Sequence, residues 1–288
     1  MKKKHFALIG HPISHSMSAF INKKLFEISN FVADYDLINI PPEDLGCAFK
    51  SLKELDGFNV TLPHKQSIIH YLDELSQRAS LYKTVNVVKN ENNVSTGYIT
   101  DSEGFIRALE VSNIALEGKV VIIGAGGAAR AAAYEAAFAG CDTIIAVRPQ
   151  SLNSVASLVG DIKNSVISPL VSSCTIESLL NEHSDIDLLI NATPAGMYPG
   201  IDNCPVSEDV IRKCNAVFDM IYNPKETKFI KIAKENDVKY SNGLYMLIFQ
   251  AVCAHKIWTG ADFSMEDIKQ LYLETNAEIN KTFSGVLC

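Results

Sequence analysis

The chain has 288 residues, 47% hydrophobic and 20% charged, with a net charge of −7, which favours two globular domains with a sizeable core. The acidic balance, with no basic run beyond Lys2 to Lys4, argues against a nucleic-acid partner. The apolar stretch after those lysines breaks at Gly10, His11 and Pro12, too short for an export signal, and no run reaches the length of a membrane span.

Seven scattered cysteines without a CxxC fit reduced thiols in a cytoplasmic protein with no zinc site. Phe6 to Ile9 reads as a buried strand, and Ala19 to Ile28 has the periodicity of a helix. Between them lie Gly-His-Pro and three serines, Ser14, Ser16 and Ser18. Hydroxyls and free N–H groups at a helix N-terminus can hold a carboxylate, while a plain helix cap explains one serine and no more. Tyr35 to Ile40 is a second strand, Pro42 to Leu55 a helix, and Gly57 to Leu62 a third strand closed by Pro63, His64 and Lys65. Strand–helix alternation predicts a parallel α/β sheet with ligands beyond the carboxyl ends of its strands, where Ser16, Ser18 and Lys65 fall. A lone lysine there is ordinarily solvated surface; its company gives it a chemical reading.

Gln66 to Ala79 is expected to be helical, with Thr84 to Val88 and Val94 to Tyr98 forming strands around an Asn-rich turn. Asp101 begins a helical segment, where an aspartate alone is an N-cap. Next comes Lys119 to Ala131, KVVIIGAGGAARA. Its β-branched run suits a strand buried on both faces, and Gly124, Gly126 and Ala129 fit G-x-G-x-x-A at the turn into the helix Ala128 to Ala139. That placement favours a dinucleotide site over a structural glycine turn, with the helix N-terminus open to a phosphate. The following strand, Thr143 to Val147, ends in Arg148 and Pro149 instead of the carboxylate that reads a ribose 2′-hydroxyl. Either Arg148 meets a 2′-phosphate, pointing to NADP, or it is an exposed surface arginine. Strands at Asp187 to Asn191, Val217 to Met220 and Tyr240 to Asn242, a helix over 226 to 237, and two closing helices complete the chain, with no internal repeat or long linker.

Taken together, GHPISHSMS, NVTLPHK, TVNVV, TGYITD, GAGGAAR, NATPAGM, DMIYNPKET and NGLYMLIFQA resemble, in order and over nearly the whole chain, the motif blocks of the shikimate dehydrogenase family. The resemblance implies two α/β lobes around a cleft. Residues 1–103 would form a substrate domain, 104–238 a Rossmann-type nucleotide domain, and 239–288 helices packing back on the first. It implies reversible NADPH-dependent reduction of 3-dehydroshikimate to shikimate in aromatic amino-acid biosynthesis. Lys65 and Asp101 would be the catalytic pair. Ser16 and Ser18 would hold the substrate carboxylate; Thr61, Asn86, Asp101 and Gln250 would read its hydroxyls, with Lys65 and Tyr222 also against substrate. Gly124, Gly126, Gly127, Ala128 and Arg130 would hold the nucleotide phosphates and Arg148 the 2′-phosphate. Asn191, Thr193 and Met197 would line the cofactor, with Met220 and Gly243 near the nicotinamide. The partners implied are small molecules, and the family includes monomers and homodimers.

The chain departs from the family pattern at Ala19, Lys83, Val87, Ile99, Tyr245 and Phe249, and around Arg148 at Val147, Pro149 and Leu152. Ile99 and the Arg148 region keep open a quinate/shikimate dehydrogenase using NAD or both cofactors. A dinucleotide sensor without turnover is a reading from another class, and the presence of both members of a catalytic pair counts against it. Adjacent His15 and Ser16 do not make a hydrolase, since there is no G-x-S-x-G.

Overall fold

The computed structural model describes residues 3–14, 16–182 and 185–283. The chain forms two units, Met1–Gly104 with Leu247–Cys288, and Phe105–Met246. The first unit holds a six-stranded sheet of β1 (Lys4–Gly10), β2 (Ala33–Asn39), β3 (Gly57–Val60), β4 (Glu74–Leu75), β5 (Val87–Glu91) and β6 (Val94–Tyr98), in the order β2-β1-β3-β5-β6-β4. Its helices are α1 (Ser18–Ile28), α2 (Leu45–Leu52) and α3 (Gln77–Tyr82).

The expected parallel sheet is found only in part. β1 runs parallel to β2 and β3, but β5 is antiparallel to both β3 and β6. The cause is local: Asn92 and Asn93 both take positive φ, 53° and 64°, the two-residue turn that folds a chain straight back on itself. Strand pairing there begins at Val87, not Thr84, because Lys83 closes α3 in the left-handed conformation. The helix expected over Gln66 to Ala79 is instead a short 3₁₀ turn (Ser67–Tyr71), the two residues of β4, and α3. Tertiary pairing overrides helix propensity here, since Asp73 N–H donates to Ser95 O and Ser76 N–H to Gly97 O. Ser76 then caps α3, its hydroxyl accepting from Ala79 N–H. Likewise the helix expected over Pro42 to Leu55 opens as a 3₁₀ turn and is α-helical only from Leu45 to Leu52.

The second unit's sheet is β7 (Lys119–Ile123), β8 (Asp142–Val147), β9 (Val171–Thr175), β10 (Ile186–Asn191), β11 (Cys214–Asp219) and β12 (Lys239–Asn242), all parallel, in the order β12-β11-β10-β7-β8-β9. The order reverses direction between β7 and β10, the switch point of a doubly wound Rossmann-type sheet. Accompanying helices are α4 (Asp101–Val111), whose first four residues belong to the first unit, α5 (Gly127–Phe138), α6 (Leu152–Ser165), α7 (Leu179–Glu182), α8 (Glu208–Ile211) and α9 (Lys228–Glu235). Val120 to Ile123 are fully buried, as a central strand covered on both faces requires. The sequence reading does not anticipate α6, β9, α7 or α8, and β12 extends this sheet past residue 238. The closing helices are α10 (Leu244–Thr259) and α11 (Met265–Phe283).

The first unit's core gathers Phe6, Leu8, Ile13, Phe26, Tyr35, Val87, Ala254 and Trp258, with the Trp258 indole N–H donating to Val88 O at 3.0 Å. Fully buried His255 on α10 reaches Asn22 Oδ1 on α1 through Nε2 at 3.1 Å, and Asn22 in turn donates to Ser18 O at 2.8 Å. Burial pushes the His255 imidazole down to about 3 from an ordinary 6.5. The unfolded chain therefore binds this proton first, so stability present above pH 6.5 is lost as pH falls towards 3. Between pH 7 and 5, wild type is expected to lose about 2 kcal/mol of its stability relative to His255→Gln. Parallel urea titrations of both proteins read that difference.

Candidate active site

Lys65 follows β3, and Asp101 is the first residue of α4, where a helix N-terminus favours negative charge. Lys65 Nζ donates to Asp101 Oδ2 at 2.5 Å, and the two side chains are 13% and 1% exposed. The other carboxylate oxygen, Oδ1, accepts from Asn86 Nδ2 at 3.1 Å. Asn86 Nδ2 also lies 2.9 Å from both Thr100 Oγ1 and Gln250 Oε1, while Asn86 Oδ1 accepts from Thr100 N–H at 2.7 Å. Thr100 Oγ1 donates to the Gln250 carbonyl at 3.0 Å. One buried amide thus ties the Lys65–Asp101 pair to Gln250 on α10. Separating two partners of such a buried pair leaves an uncompensated charge, so the network holds both at fixed positions.

The backbone below this pair is equally tied. Val85 N–H donates to Lys65 O at 2.8 Å, and Val60 N–H to Asn86 O at 2.9 Å. His64 is buried, with Nε2 2.7 Å from Ile40 O; since a carbonyl only accepts, that nitrogen carries the hydrogen. Thr61 N–H donates to Ile9 O and His11 N–H to Leu62 O, each at 2.9 Å, which brings the loops after β1 and β3 together. Thr61 is half-buried, and its hydroxyl has no hydrogen-bond partner among the described residues. Ser16 Oγ accepts from Ser18 N–H at 3.2 Å, one residue before Met17, the N-cap of α1, which has no side-chain capping bond. The Ser18 hydroxyl has no partner among the described residues, and His15 lies outside them. Ile99 is buried, 7% exposed, and Phe249, at 2%, belongs to the core.

In the second unit, Gly124 takes φ +107°, a conformation that disfavours any side chain, and Gly126 caps α5 with no side-chain hydrogen bond. A Cβ at Gly126 would meet no atom within 4 Å, so open space adjoins the first turn of the helix formed by Gly127 and Ala128. Arg148, after β8, is exposed and its guanidinium has no partner among the described residues. An open glycine turn, uncapped helix N–H groups and a free guanidinium in place of a carboxylate suit a dinucleotide with a 2′-phosphate. Arg130 is placed differently from its neighbours: nearly buried, it pairs with Asp161 on α6 at 3.0 Å. Asn191 is fully buried, its Oδ1 accepting from Thr193 N–H at 3.0 Å and Thr193 Oγ1 at 2.7 Å. Met197 is exposed, and Met220 and Tyr222 are half-buried. A Cβ on Gly243 would lie 2.1 Å from Met220 O, so only glycine allows the loops after β11 and β12 to approach.

Two residues that sequence reasoning passed over belong to these networks. Thr100 adjoins Asp101 in TGYITD, and its hydroxyl bridges Asn86 and α10. Asp219 ends the apolar strand β11, and burial pushes its carboxyl up to about 6 despite hydrogen bonds from Thr227, Ile221 and Asn191. A carboxylate closing an apolar run was the signal available for it.

The fold and these two clusters define a two-domain α/β dehydrogenase with a Rossmann-type half. Residues 8–88 match the family model described as the shikimate dehydrogenase substrate binding domain. A curated shikimate dehydrogenase (NADP+) from Caldanaerobacter subterraneus is 42% identical over 266 residues, covering 91% of this chain and 94% of its own. A shikimate dehydrogenase solved in complex with NADP+ is 38% identical, with TM-score 0.85 over 95% of this chain and 96% of that one. The shikimate 5-dehydrogenase of Listeria monocytogenes, solved with shikimate and NAD, is 31% identical, with TM-score 0.81 over 93% and 96%. The chain belongs to the shikimate dehydrogenase family.

Proposed function

We propose that the protein is an NADP-dependent shikimate dehydrogenase, reversibly reducing 3-dehydroshikimate to shikimate in aromatic amino-acid biosynthesis. The observation that carries this is the buried Lys65–Asp101 pair held on one polar network with Asn86 and Gln250. In this reading Met1–Gly104 with Leu247–Cys288 binds substrate and Phe105–Met246 binds nucleotide. Ser16, Ser18 and Thr61 take the substrate's carboxylate and a hydroxyl, using groups left unpartnered or at a helix N-terminus. Asn86, Asp101, Gln250 and Tyr222 take the remaining polar groups of the ring.

NADPH, when bound, supplies the hydride. Lys65 polarises the ketone and gives its proton to the forming alkoxide, and takes it back in the oxidation direction. Both carboxylate oxygens of Asp101 face N–H donors, one of them the Lys65 ammonium. It orients the ammonium and offsets its charge. Gly124, Gly126, Gly127 and Ala128 hold the nucleotide phosphates, Arg148 the 2′-phosphate, and Asn191, Thr193, Met197, Met220 and Gly243 the nicotinamide side. Arg130, through Asp161, braces the glycine loop. The protein acts in the cytoplasm, on small molecules, as a monomer or homodimer. No helix among the described residues is long and apolar enough to cross a membrane.

The buried, apolar Ile99 next to Thr100 favours one further reading, a quinate/shikimate dehydrogenase accepting NAD. Initial rates at 340 nm with shikimate or quinate and NADP or NAD separate the two. Reduction of NADP with shikimate well above the other three pairs is expected. Comparable rates with quinate and NAD would replace the first reading by the second.

A further inference from the structure

The only buried carboxylate in the second unit without a cation beside it among the described residues closes β11. Asp219 is fully buried, and both its oxygens are used. Oδ1 accepts from Asn191 Nδ2 at 3.0 Å and from Ile221 N–H at 3.1 Å, and Oδ2 accepts from Thr227 Oγ1 at 2.6 Å. These donors are the last residue of β10, Asn191, and two positions on the segment after β11, Ile221 and Thr227. Through Asn191 the network continues to Thr193 N–H and hydroxyl, and Thr193 Oγ1 accepts from Ala195 N–H at 3.2 Å. Asn191 and Asp219 are register partners, as are Asp219 and Asn242, so one side chain sits where β10, β11 and β12 all end. Met220 N–H donates to Asn191 O at 3.0 Å and Gly243 N–H to Ile221 O at 3.0 Å, joining the three loops at the same place.

Burying an ionised carboxylate is costly unless its hydrogen bonds are made, so these loops keep their arrangement as long as Asp219 holds them. We propose that Asp219 is a positioning residue that fixes the loops after β10 and β11, and with them the nicotinamide half of the nucleotide site. This rests on the nucleotide-binding reading above. In a doubly wound sheet the two halves of a dinucleotide lie on either side of the switch point. The adenosine half, on the side of the glycine loop and Arg148, is therefore independent of Asp219.

Titration calorimetry with NADPH and with adenosine 2′,5′-bisphosphate, which lacks the nicotinamide, tests this. Asp219→Ala is expected to weaken NADPH binding by about tenfold or more while leaving the bisphosphate within about twofold of wild type. Asp219→Asn, which keeps an acceptor towards Asn191 and Ile221, is expected to recover most of the loss. Should Asp219→Ala not fold, Thr227→Val removes the donor to Oδ2 and is expected to show the same selective loss, with Thr227→Ser restoring it. Unchanged NADPH affinity, or equal loss for both nucleotides, overturns the positioning role. A wild-type protein that binds neither nucleotide overturns the nucleotide site itself, and this proposal with it.

Discussion

Lys65→Ala is expected to lower kcat by about 10²- to 10⁴-fold, the range by which positioned proton donors accelerate such steps. The KM for shikimate is expected to move little, because Ser16, Ser18, Thr61, Asn86 and Gln250 remain. The substitution leaves Asp101, 1% exposed, without its cation, which also costs the fold stability. A thermal melt and the shikimate KM, taken on the same preparation, separate that from chemistry: a folded variant with near-wild-type KM and collapsed kcat locates the effect in the proton transfer. Near-normal turnover would remove Lys65 from the role assigned to it.

The second large effect lies in the other unit. Arg148 is exposed after β8 with no partner for its guanidinium among the described residues, so removing it costs the fold little. A guanidinium bonded to a phosphate is a charge-assisted contact, and Arg148→Ala is expected to raise the KM for NADP by about 10- to 100-fold. The KM for NAD, which has no 2′-phosphate, is expected to stay near its wild-type value. Steady-state titration of both cofactors checks the pair. Equal changes for both would place Arg148 away from the 2′-phosphate, and no change for either would make it the surface arginine that is the other reading of the sequence.

Much of the site is legible in the sequence because its chemistry is local. Gly124 and Gly126 sit in a strand-to-helix turn whose geometry they determine, and Lys65 and Asp101 stand at element ends where a parallel sheet presents its ligands. What the sequence hides is set by distant pairing. Asn86 looks like one more polar residue near a strand until Thr100 and Gln250, the latter 164 positions away, close around its amide. The segment from Gln66 to Ala79 carries helix formers, yet Ser95 and Gly97 take its backbone N–H groups and break it. Arg130 sits in the glycine motif as a phosphate ligand would, and only α6, which the sequence reading passed over, supplies the Asp161 that engages it. For Asp219 the donors Ile221 and Thr227 are local, 2 and 8 positions on, and it is Asn191, 28 positions away, that only the strand pairing brings to it.

In the proposed reaction this chain reduces a ketone with a hydride from NADPH and a proton from Lys65. Its most direct test is the 340 nm absorbance after 3-dehydroshikimate is added to the protein with NADPH, with the product resolved by chromatography. Loss of one NADPH for each shikimate formed is the expected result. A folded protein that binds NADPH yet leaves the absorbance unchanged would contradict it, and would make the Lys65–Asp101 pair the remnant of a site turned to another substrate.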